Sequence, residues 1–298
     1  MDTTIKRHGC SKRKIINMIG LNPSSYYREP RVGKKGKRPS NLTYHKTKGW
    51  MNESELLQDI YDILSNEFID CGYRLMNSYL KKQGWCINHK KLYRIMKKHD
   101  LLKVDKRIRT KAIDRKFVKF RKVKTTRPFQ CLEMDIKVVW IPSKGKNAYL
   151  LSIIDVHTRR ILKDFFSFSI KQKQVIDFLS PLFEEFDYPS NIVIRTDNGS
   201  QFIDKNVREY LSLIGVEQEF THIATPEENA HIETYNGILQ KEVFQRFEYQ
   251  NFDQIQNILK RFVFFYNNQR LHGRIGYITP MEKWKVDKHL IVMNNIAV

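Results

Sequence analysis

A change in hydrophobic period near residue 130 constrains the fold of this 298-residue chain more than any other feature. Before that point apolar residues recur at helical spacing, and after it they alternate with polar ones, as in a strand with one buried face. The alternating stretch runs from Leu132 to Trp140, with Glu133, Asp135 and Lys137 on the largely charged face. The sequence therefore predicts an all-α N-terminal region followed by a separate domain built on a sheet.

The helical part predicts three consecutive helices over 53–68, 73–83 and 89–99. Gly84 suits the C-terminus of the second helix, and Asn88 suits the N-cap of the third. The short turn between these two helices is typical of a helix-turn-helix, whose last helix fits the DNA major groove. The outward cations of that helix are candidate DNA contacts, or alternatively the solvated face of an ordinary bundle: Lys90, Lys91, Arg94, Lys97 and Lys98.

The charge of the chain divides at the same place as its hydrophobic period. Residues 1–128 hold 33 Lys or Arg and 11 Asp or Glu, whereas residues 129–298 hold 20 and 21. The whole excess of the net charge of +21 thus lies in the N-terminal part. Such a concentration indicates a polyanionic partner, because each phosphate neutralised releases counterions. A merely basic, soluble surface is the alternative.

Cysteine spacing and hydropathy exclude several other classes of protein. The four cysteines contain no Cys-x-x-Cys pair, which argues against a zinc site or a disulfide framework. No apolar run approaches the length of a membrane span, and the N-terminus lacks the apolar segment of a signal peptide. We therefore expect a cytoplasmic protein without a membrane partner.

The C-terminal part predicts a mixed α/β sheet with helices on its faces. Further strands are expected over 149–156, 161–169, 191–195 and 217–221, and helices over 172–186 and 205–214. A long helix follows, with Thr225, Pro226 and Glu228 matching a capping box. Its polar stripe is Asn229, Glu233, Asn236 and Gln240, at spacings of four, three and four residues.

Three carboxylates stand out by their positions in these elements. Asp135 lies on the first strand, Asp197 ends a buried strand, and Glu233 lies on the capped helix. Strand ends and helix termini meet at ligand sites in α/β sheets, and converging carboxylates would need Mg²⁺ or Mn²⁺ to offset their repulsion. Taken singly, Asp197 suits a turn, Asp135 could pair with Lys137, and Glu233 could be an exposed helix carboxylate. Glu133 is a rival ligand on the same strand face as Asp135.

These residues carry a resemblance to a known family. Asp135, Asp197 and, after 35 intervening residues, Glu233 resemble the acidic triad of DDE transposases and retroviral integrases, which share a ribonuclease H-like core. The segments 196–202, 226–233 and 266–272 and the pair Thr279-Pro280 strengthen the match. The chain is similar to the larger, orfB-type product of bacterial insertion sequences of the IS-three group, whose helix-turn-helix region resembles 72–74 and 92–96.

The resemblance implies a transposase that binds the ends of a mobile element and catalyses phosphodiester hydrolysis and strand transfer. It implies two metal ions, one held by Asp135 and Asp197 and the other by Asp135 and Glu233. Its expected partners are double-stranded DNA at element ends and target, further copies of the chain, and an upstream product joined by frameshifting. A bacterial, nucleoid-associated protein is expected, and Arg270 and His272 are assigned either to DNA contact or to a structural role.

The chain departs from the group at two positions. Gln240 stands where a basic residue is usual, so the contact with the element end would pass to Lys241 or be absent, since Lys241 lies about 100° further round the helix. Lys137 stands where the group often has Thr, which leaves the triad intact.

The sequence also allows two alternative functions and predicts a domain organisation. A DNA-binding regulator with a silent core, or a metal-dependent nuclease without strand transfer, are the alternatives to a transposase. The predicted organisation is a short helix-turn-helix-like segment at 1–29, a basic linker at 30–51, the helix-turn-helix domain at 52–102, a second basic linker at 103–127, the ribonuclease H-like core with its mixed five-stranded sheet at 128–285, and a tail at 286–298.

Overall fold

The computed structural model describes residues 11–22, 40–103, 124–221 and 229–292. The chain divides into two compact units, residues 1–41 and residues 42–298. In the first unit, helix α1 spans Lys12–Met18, and the Ser11 hydroxyl accepts from the backbone N–H of Lys14 at 3.4 Å. This helix lies in the segment 1–29 that was expected to be helix-turn-helix-like, and residues 1–10 and 23–29 of that segment lie outside the described residues.

The second unit begins with the helix-turn-helix region, whose three helices were predicted from the sequence. Gly84 ends the second of them with a φ of +113°, and the Asn88 side chain accepts from the N–H of Lys90 to cap the third. The elements are strand β1 (Thr43–His45), strand β2 (Gly49–Met51), helix α2 (Glu53–Leu64), helix α3 (Tyr73–Gln83), strand β3 (Trp85–Cys86) and helix α4 (His89–Lys98).

Two boundaries in this region differ from the sequence prediction. Part of the segment expected as a basic linker, 43–51, forms the β1–β2 hairpin, which pairs with β3 in a sheet of order β2-β1-β3. Helix α2 ends at Leu64 rather than at 68, because Asn66 turns the chain by accepting from the N–H of Phe68 at 3.0 Å. Phe68 is buried all the same, on the aromatic side chains of a later helix.

The core begins with the antiparallel meander that the alternating pattern predicted. Its strands are β4 (Cys131–Ile141), β5 (Lys146–Asp155) and β6 (Ile161–Ser167). The elements that follow are helix α5 (Gln172–Glu185), strand β7 (Ile192–Thr196), helix α6 (Ser200–Ile203), helix α7 (Lys205–Leu213) and strand β8 (Val216–Phe220). The last described elements are α8 (Ala230–Leu239), which continues as a π turn (Gln240–Phe244), α9 (Phe252–Asn268) and α10 (Pro280–Asp287).

The five core strands form one mixed sheet of order β6-β5-β4-β7-β8. Strand β7 is parallel to β4, with Glu133 opposite Arg195, and β8 is parallel to β7. The predicted mixed five-stranded sheet with helices is therefore confirmed.

Helices cover both faces of the sheet, as predicted, so the charged face expected for β4 is also packed against helices. Leu132 and Met134 pack with α5 and α7, whereas Val139 and Ile141 on the opposite face pack with α8 and α9. Towards its C-terminal end β4 is less covered on the first face, where Val138 and Trp140 are about half exposed. The alternating pattern of β4 does not show how far its charged face is buried, because the burial of Glu133 and Asp135 depends on the packing of α8.

Two other predictions concern helix ends. The capping box at 225–228 lies outside the described residues, and the described part of α8 begins at Ala230. Helix α10 begins at Pro280, with Thr279 accepting from the N–H of Glu282 at 3.1 Å, and it continues two residues into the segment expected as a tail.

Within the described residues, no helix is both long and apolar enough to cross a membrane.

Candidate functional site

The sheet register places two of the three predicted acids side by side. Strands β4 and β7 pair with Glu133 opposite Arg195. Asp135 lies two residues beyond Glu133 and Asp197 two residues beyond Arg195, directly after β7, so continuing this register sets them side by side; the charge of Asp197 acts on Asp135. Neighbouring strands lie about 4.8 Å apart, and residues two apart share a face. The two carboxylates therefore meet on one face of the sheet at the end of a buried strand.

Asp197 is held by the turn that its own sequence favours. Its Oδ1 accepts from the N–H of Gly199 at 3.0 Å, and the Asn198 amide donates to the Thr221 carbonyl at 2.8 Å. A Cβ at Gly199 would lie 2.9 Å from Asp197 Oδ1, so a side chain there would displace the carboxylate. The turn therefore belongs to the candidate site, because it fixes the orientation of the Asp197 carboxylate.

Glu133 has a different role from the rival ligand suggested by its position. It is fully buried, and its Oε2 accepts from the backbone N–H groups of His231 and Ile232 at 2.8 and 2.9 Å. Its Oε1 lies 2.6 Å from Nδ1 of His231. These N–H groups belong to the first turn of α8, where no helical carbonyl can accept from them. Glu133 therefore fixes the start of the helix that carries Glu233.

A second contact joins α8 to the candidate site. The Asn236 amide donates to Oδ2 of Asp135 at 2.7 Å. Glu233 precedes Asn236 by three residues, and side chains at that spacing are neighbours on a helix surface. Glu233 is exposed, whereas Asn236 is half-buried. Of the polar stripe predicted for this helix, Asn229 and Asn236 therefore contact the strand that carries Asp135.

The surroundings of Asp135 favour its neutral form. Burial raises the pKa of Asp135, and the nearby charge of Asp197 raises it further, while hydrogen bonds from Ile136 and Asn236 act in the opposite direction. On the adjacent strand, Ser152 pairs with Asp135, and its buried Oγ has no hydrogen-bond partner in the structure. Lys137 Nζ lies 5.5 Å from the ring centroid of Phe244.

The three predicted acids are brought to the same region but not into a closed cluster. Within residues 11–22, 40–103, 124–221 and 229–292, no three His, Cys, Asp or Glu side chains converge closely enough to hold a metal ion. The charge of Asp197 acts on Asp135, and Glu233 lies on α8, three residues before the Asn236 that donates to Asp135.

The predicted DNA-binding residues of α4 fall into two groups. Lys90, Arg94 and Lys97 are exposed. Lys91 donates to the Leu42 carbonyl at 2.6 Å, and Lys98 lies 2.7 Å from Glu53. Lys98 is exposed as well, so four of the five cations face solvent, and Lys91 and Lys98 also bind neighbouring segments of the fold.

The remaining predicted contacts lie near the C-terminal end of α9. The Arg270 side chain is 14% exposed and donates twice to Glu242, at 2.9 and 3.0 Å. His272 packs edge-on against Tyr266. Burial lowers the pKa of His272 to about 3, with the positive charge of Arg270 acting in the same direction. Both residues therefore make contacts within the fold, whereas Lys241, in the π turn, is exposed.

Sequence reasoning missed two partnerships that organise this region. The clamp between Glu133 and the first turn of α8 joins residues almost a hundred positions apart. The pair of Glu242 and Arg270 joins the π turn to the chain after α9. The position of Glu133, two residues before Asp135, was the available signal, but only the packed helix distinguishes a cap from a ligand.

Comparison with known families places these elements together. The HTH-like domain family matches residues 51–109, and two models of the integrase core domain match 125–226 and 214–280. The two integrase matches together span more than half of the chain. The chain belongs to the integrase core family. The matched segments contain Asp135, Asp197 and Glu233.

Relatives of this integrase-core chain include proteins of bacterial insertion sequences. The putative transposase InsK of IS150 from Escherichia coli is 24% identical, over 71% of this chain and 76% of its own length. The IS904 transposase of Lactococcus lactis is 27% identical, over 49% of this chain and 58% of its own. A chain of the simian T-cell lymphotropic virus intasome aligns with a TM-score of 0.46 and 14% identity, over 71% of this chain and 70% of that one.

Proposed function

We propose that this chain is a DNA transposase whose catalytic carboxylates are Asp135, Asp197 and Glu233. The integrase core and the transposase relatives support the activity. The observation that carries the site is the register that sets Asp135 beside Asp197, together with the hydrogen bond from Asn236 of the Glu233 helix to Asp135. The reaction is phosphodiester hydrolysis at the element end followed by attack of the freed 3′ hydroxyl on target DNA.

The donor set suits a hard divalent cation. Two adjacent carboxylates and a third on the facing helix offer the oxygen ligands that Mg²⁺ and Mn²⁺ prefer. Ser152 Oγ, buried without a partner across from Asp135, adds an unused polar atom beside the pair. Asp135 would be shared by two ions, with Asp197 and Glu233 as the other ligands. Bound there, the cations would supply Lewis-acid stabilisation of charge on the phosphodiester oxygens.

The residues around the acids position them for this reaction. Asn236 orients Asp135 through its amide, and the turn at Gly199 orients Asp197. Glu133 is a positioning residue, because its carboxylate fixes the first turn of α8 and with it the location of Glu233. Preorganised carboxylates need less rearrangement when DNA arrives, which lowers the barrier to reaction.

DNA is bound by a separate surface in this proposal. Lys90, Arg94 and Lys97 project from α4 into solvent, where they can neutralise phosphates or reach base edges. Lys241 is exposed in the π turn that continues the Glu233 helix, so it takes the role of a DNA contact beside the catalytic site. Arg270 and His272 are assigned to the fold instead, because Arg270 is only 14% exposed and ion-paired with Glu242, and His272 is buried.

Assembly and location follow from the same substrate. Joining two element ends to one target requires several active sites, so we infer a multimer of this chain on DNA, working at the bacterial nucleoid. A fused upstream partner stays a prediction from the family resemblance alone. No observation favours a silent regulator or a simple nuclease over a transposase.

The test uses the full chain with a labelled duplex that carries the terminal repeat of the element. Asp135→Asn, Asp197→Asn and Glu233→Gln are each expected to reduce Mg²⁺-dependent cleavage and strand transfer by at least about 100-fold, with DNA affinity retained. Glu209→Gln, an exposed helical carboxylate paired with Lys205, is the matched control and should cleave normally. A triad variant with the wild-type rate would remove that residue from the site, and cleavage without joined products would favour a nuclease.

A further inference from the structure

The small sheet β2-β1-β3 has one buried and one exposed face. Thr43, His45 and Trp85 are almost fully buried against the helix-turn-helix core. On the other face the register places Tyr44 between Trp50 and Cys86, so that the three side chains form a row across the strands. We call Tyr44 and Trp50 the aromatic row.

The aromatic row is unusually exposed for residues of its size. Trp50 is 70% exposed and Tyr44 41% exposed, and their rings meet edge to face at 5.5 Å. Large aromatic side chains usually bury most of their surface, so a rigid pair facing solvent indicates a contact surface for a partner.

The hairpin that carries the row is held firmly in place. His45 Nδ1 accepts from the backbone N–H groups of Thr47 and Lys48 at 3.3 Å each, so that its Nε2 donates to the Gln83 carbonyl at 3.0 Å. The buried ring therefore joins the hairpin turn to the C-terminus of α3. The aromatic row is preorganised, which lowers the entropic cost of binding.

The hairpin also adjoins the recognition helix α4. Lys91, in the first turn of that helix, donates to the carbonyl of Leu42, directly before β1. The N–H of Lys46 donates to the carbonyl of Gly84, in the turn between α3 and α4, at 3.0 Å. A molecule bound along α4 could therefore also contact the hairpin, because these hydrogen bonds hold the two elements side by side.

The charge around the row identifies the class of partner. The hairpin segment, residues 42–51, contains two lysines and no Asp or Glu. Lys46 and Lys48 are exposed in the hairpin turn itself. A partner that suits both cations and flat aromatic rings combines phosphates with bases and sugars, as DNA does.

We propose that the β1–β2 hairpin is a second DNA-binding element, in which Tyr44 and Trp50 pack on bases or deoxyribose and Lys46 and Lys48 bind phosphates. This inference rests on the proposed function, since it takes DNA as the ligand. It extends the DNA surface from α4 onto the adjoining sheet, so that the region binds DNA through a helix and a hairpin together.

The test compares two exposed tryptophans in the full-length chain. Trp50→Ala is expected to weaken binding to the labelled terminal-repeat duplex about 5- to 100-fold, the range typical of losing an aromatic–base contact. Trp140→Ala, which removes a 53% exposed tryptophan from the core sheet, should leave the affinity unchanged. Equal losses in both variants, or wild-type affinity in Trp50→Ala, would overturn the inference.

A fluorescence measurement tests the contact without disturbing the hairpin. The variant Trp140→Phe keeps three tryptophans, of which Trp85 and Trp284 are buried and Trp50 is exposed. Acrylamide therefore quenches mainly the fluorescence of Trp50. Saturating duplex should protect Trp50 from acrylamide, and unchanged quenching of the bound protein would contradict the proposal. A chain that protects Trp50 but does not cleave would refute the transposase function alone. A chain that cleaves with Trp50 unprotected would refute the hairpin contact alone.

Discussion

The helix-turn-helix region and the integrase core place their charges differently. On α4, Lys90, Arg94 and Lys97 face solvent, where water and salt screen them. In the core, Glu133 is fully buried and Arg270 is paired with Glu242 in the interior. Exposed cations suit reversible binding to DNA, whereas buried charges hold elements in fixed positions. The net charge of residues 129–298 is near zero, but this region contains charged side chains whose hydrogen bonds and ion pairs stabilise the fold.

The two regions nevertheless pack as parts of one unit. Phe68, from the loop after α2, contacts Phe262 and Phe265 of α9 at ring distances of 5.3 and 5.4 Å. Glu67 accepts two hydrogen bonds from Arg261, and the Tyr79 hydroxyl accepts from the N–H of Leu271. The helix-turn-helix is thus fixed against the C-terminal helix of the core rather than attached only through the chain at 103–127. The contrast in charge arises between neighbours, not between independent domains.

The largest effect on stability is expected from Arg270→Ala. This change leaves the buried carboxylate of Glu242 without its partner, which costs about 3–5 kcal/mol in the free energy of unfolding. Urea denaturation measures the loss, and Arg94→Ala is the matched exposed arginine. A loss below about 1 kcal/mol, similar to that of a surface arginine, would show that the pair of Arg270 and Glu242 does not stabilise the fold.

A smaller loss is expected from Glu133→Gln. The amide keeps the size of the side chain, but one of its two ends becomes a donor facing the donors of α8, which costs about 1.5–3 kcal/mol. Cleavage per folded molecule should also fall, because the Glu233 helix loses its anchor, and Glu209→Gln should change neither quantity. Full activity with reduced stability would limit Glu133 to a structural role.

The smallest effect is expected from Arg94→Ala in the helix-turn-helix region. The free energy of unfolding should change by less than about 0.5 kcal/mol, because the Arg94 side chain is exposed. Affinity for the duplex should fall, and the slope of log affinity against log salt should decrease in magnitude by about one if Arg94 binds a phosphate. Unchanged affinity at every salt concentration would remove Arg94 from the DNA surface.

Much of the architecture could be predicted because it depends on local patterns. Helical spacing located α3 and α4 within one residue, and alternation located β4, since each period reports which side chains of a short segment face the core. The hairpin at 43–51 was missed, because each of its strands is only three residues long. Strands that short carry little periodic signal.

The candidate site divides in the same way. The types and order of Asp135, Asp197 and Glu233 were readable from the sequence, because a strand end, a turn and a polar helical stripe are local features. Their proximity was not, since it depends on the parallel pairing of β4 with β7 and on α8 packing across β4.

The sequence by itself determined the segregation of charge, the main elements and the three acidic positions, because composition and period are properties of the chain alone. Only the tertiary structure decided that Glu133 caps a helix, that Arg270 belongs to the interior and that Trp50 faces solvent beside α4. Each of these outcomes depends on contacts between residues distant in sequence, and burial determines whether a charge binds a ligand or holds the fold.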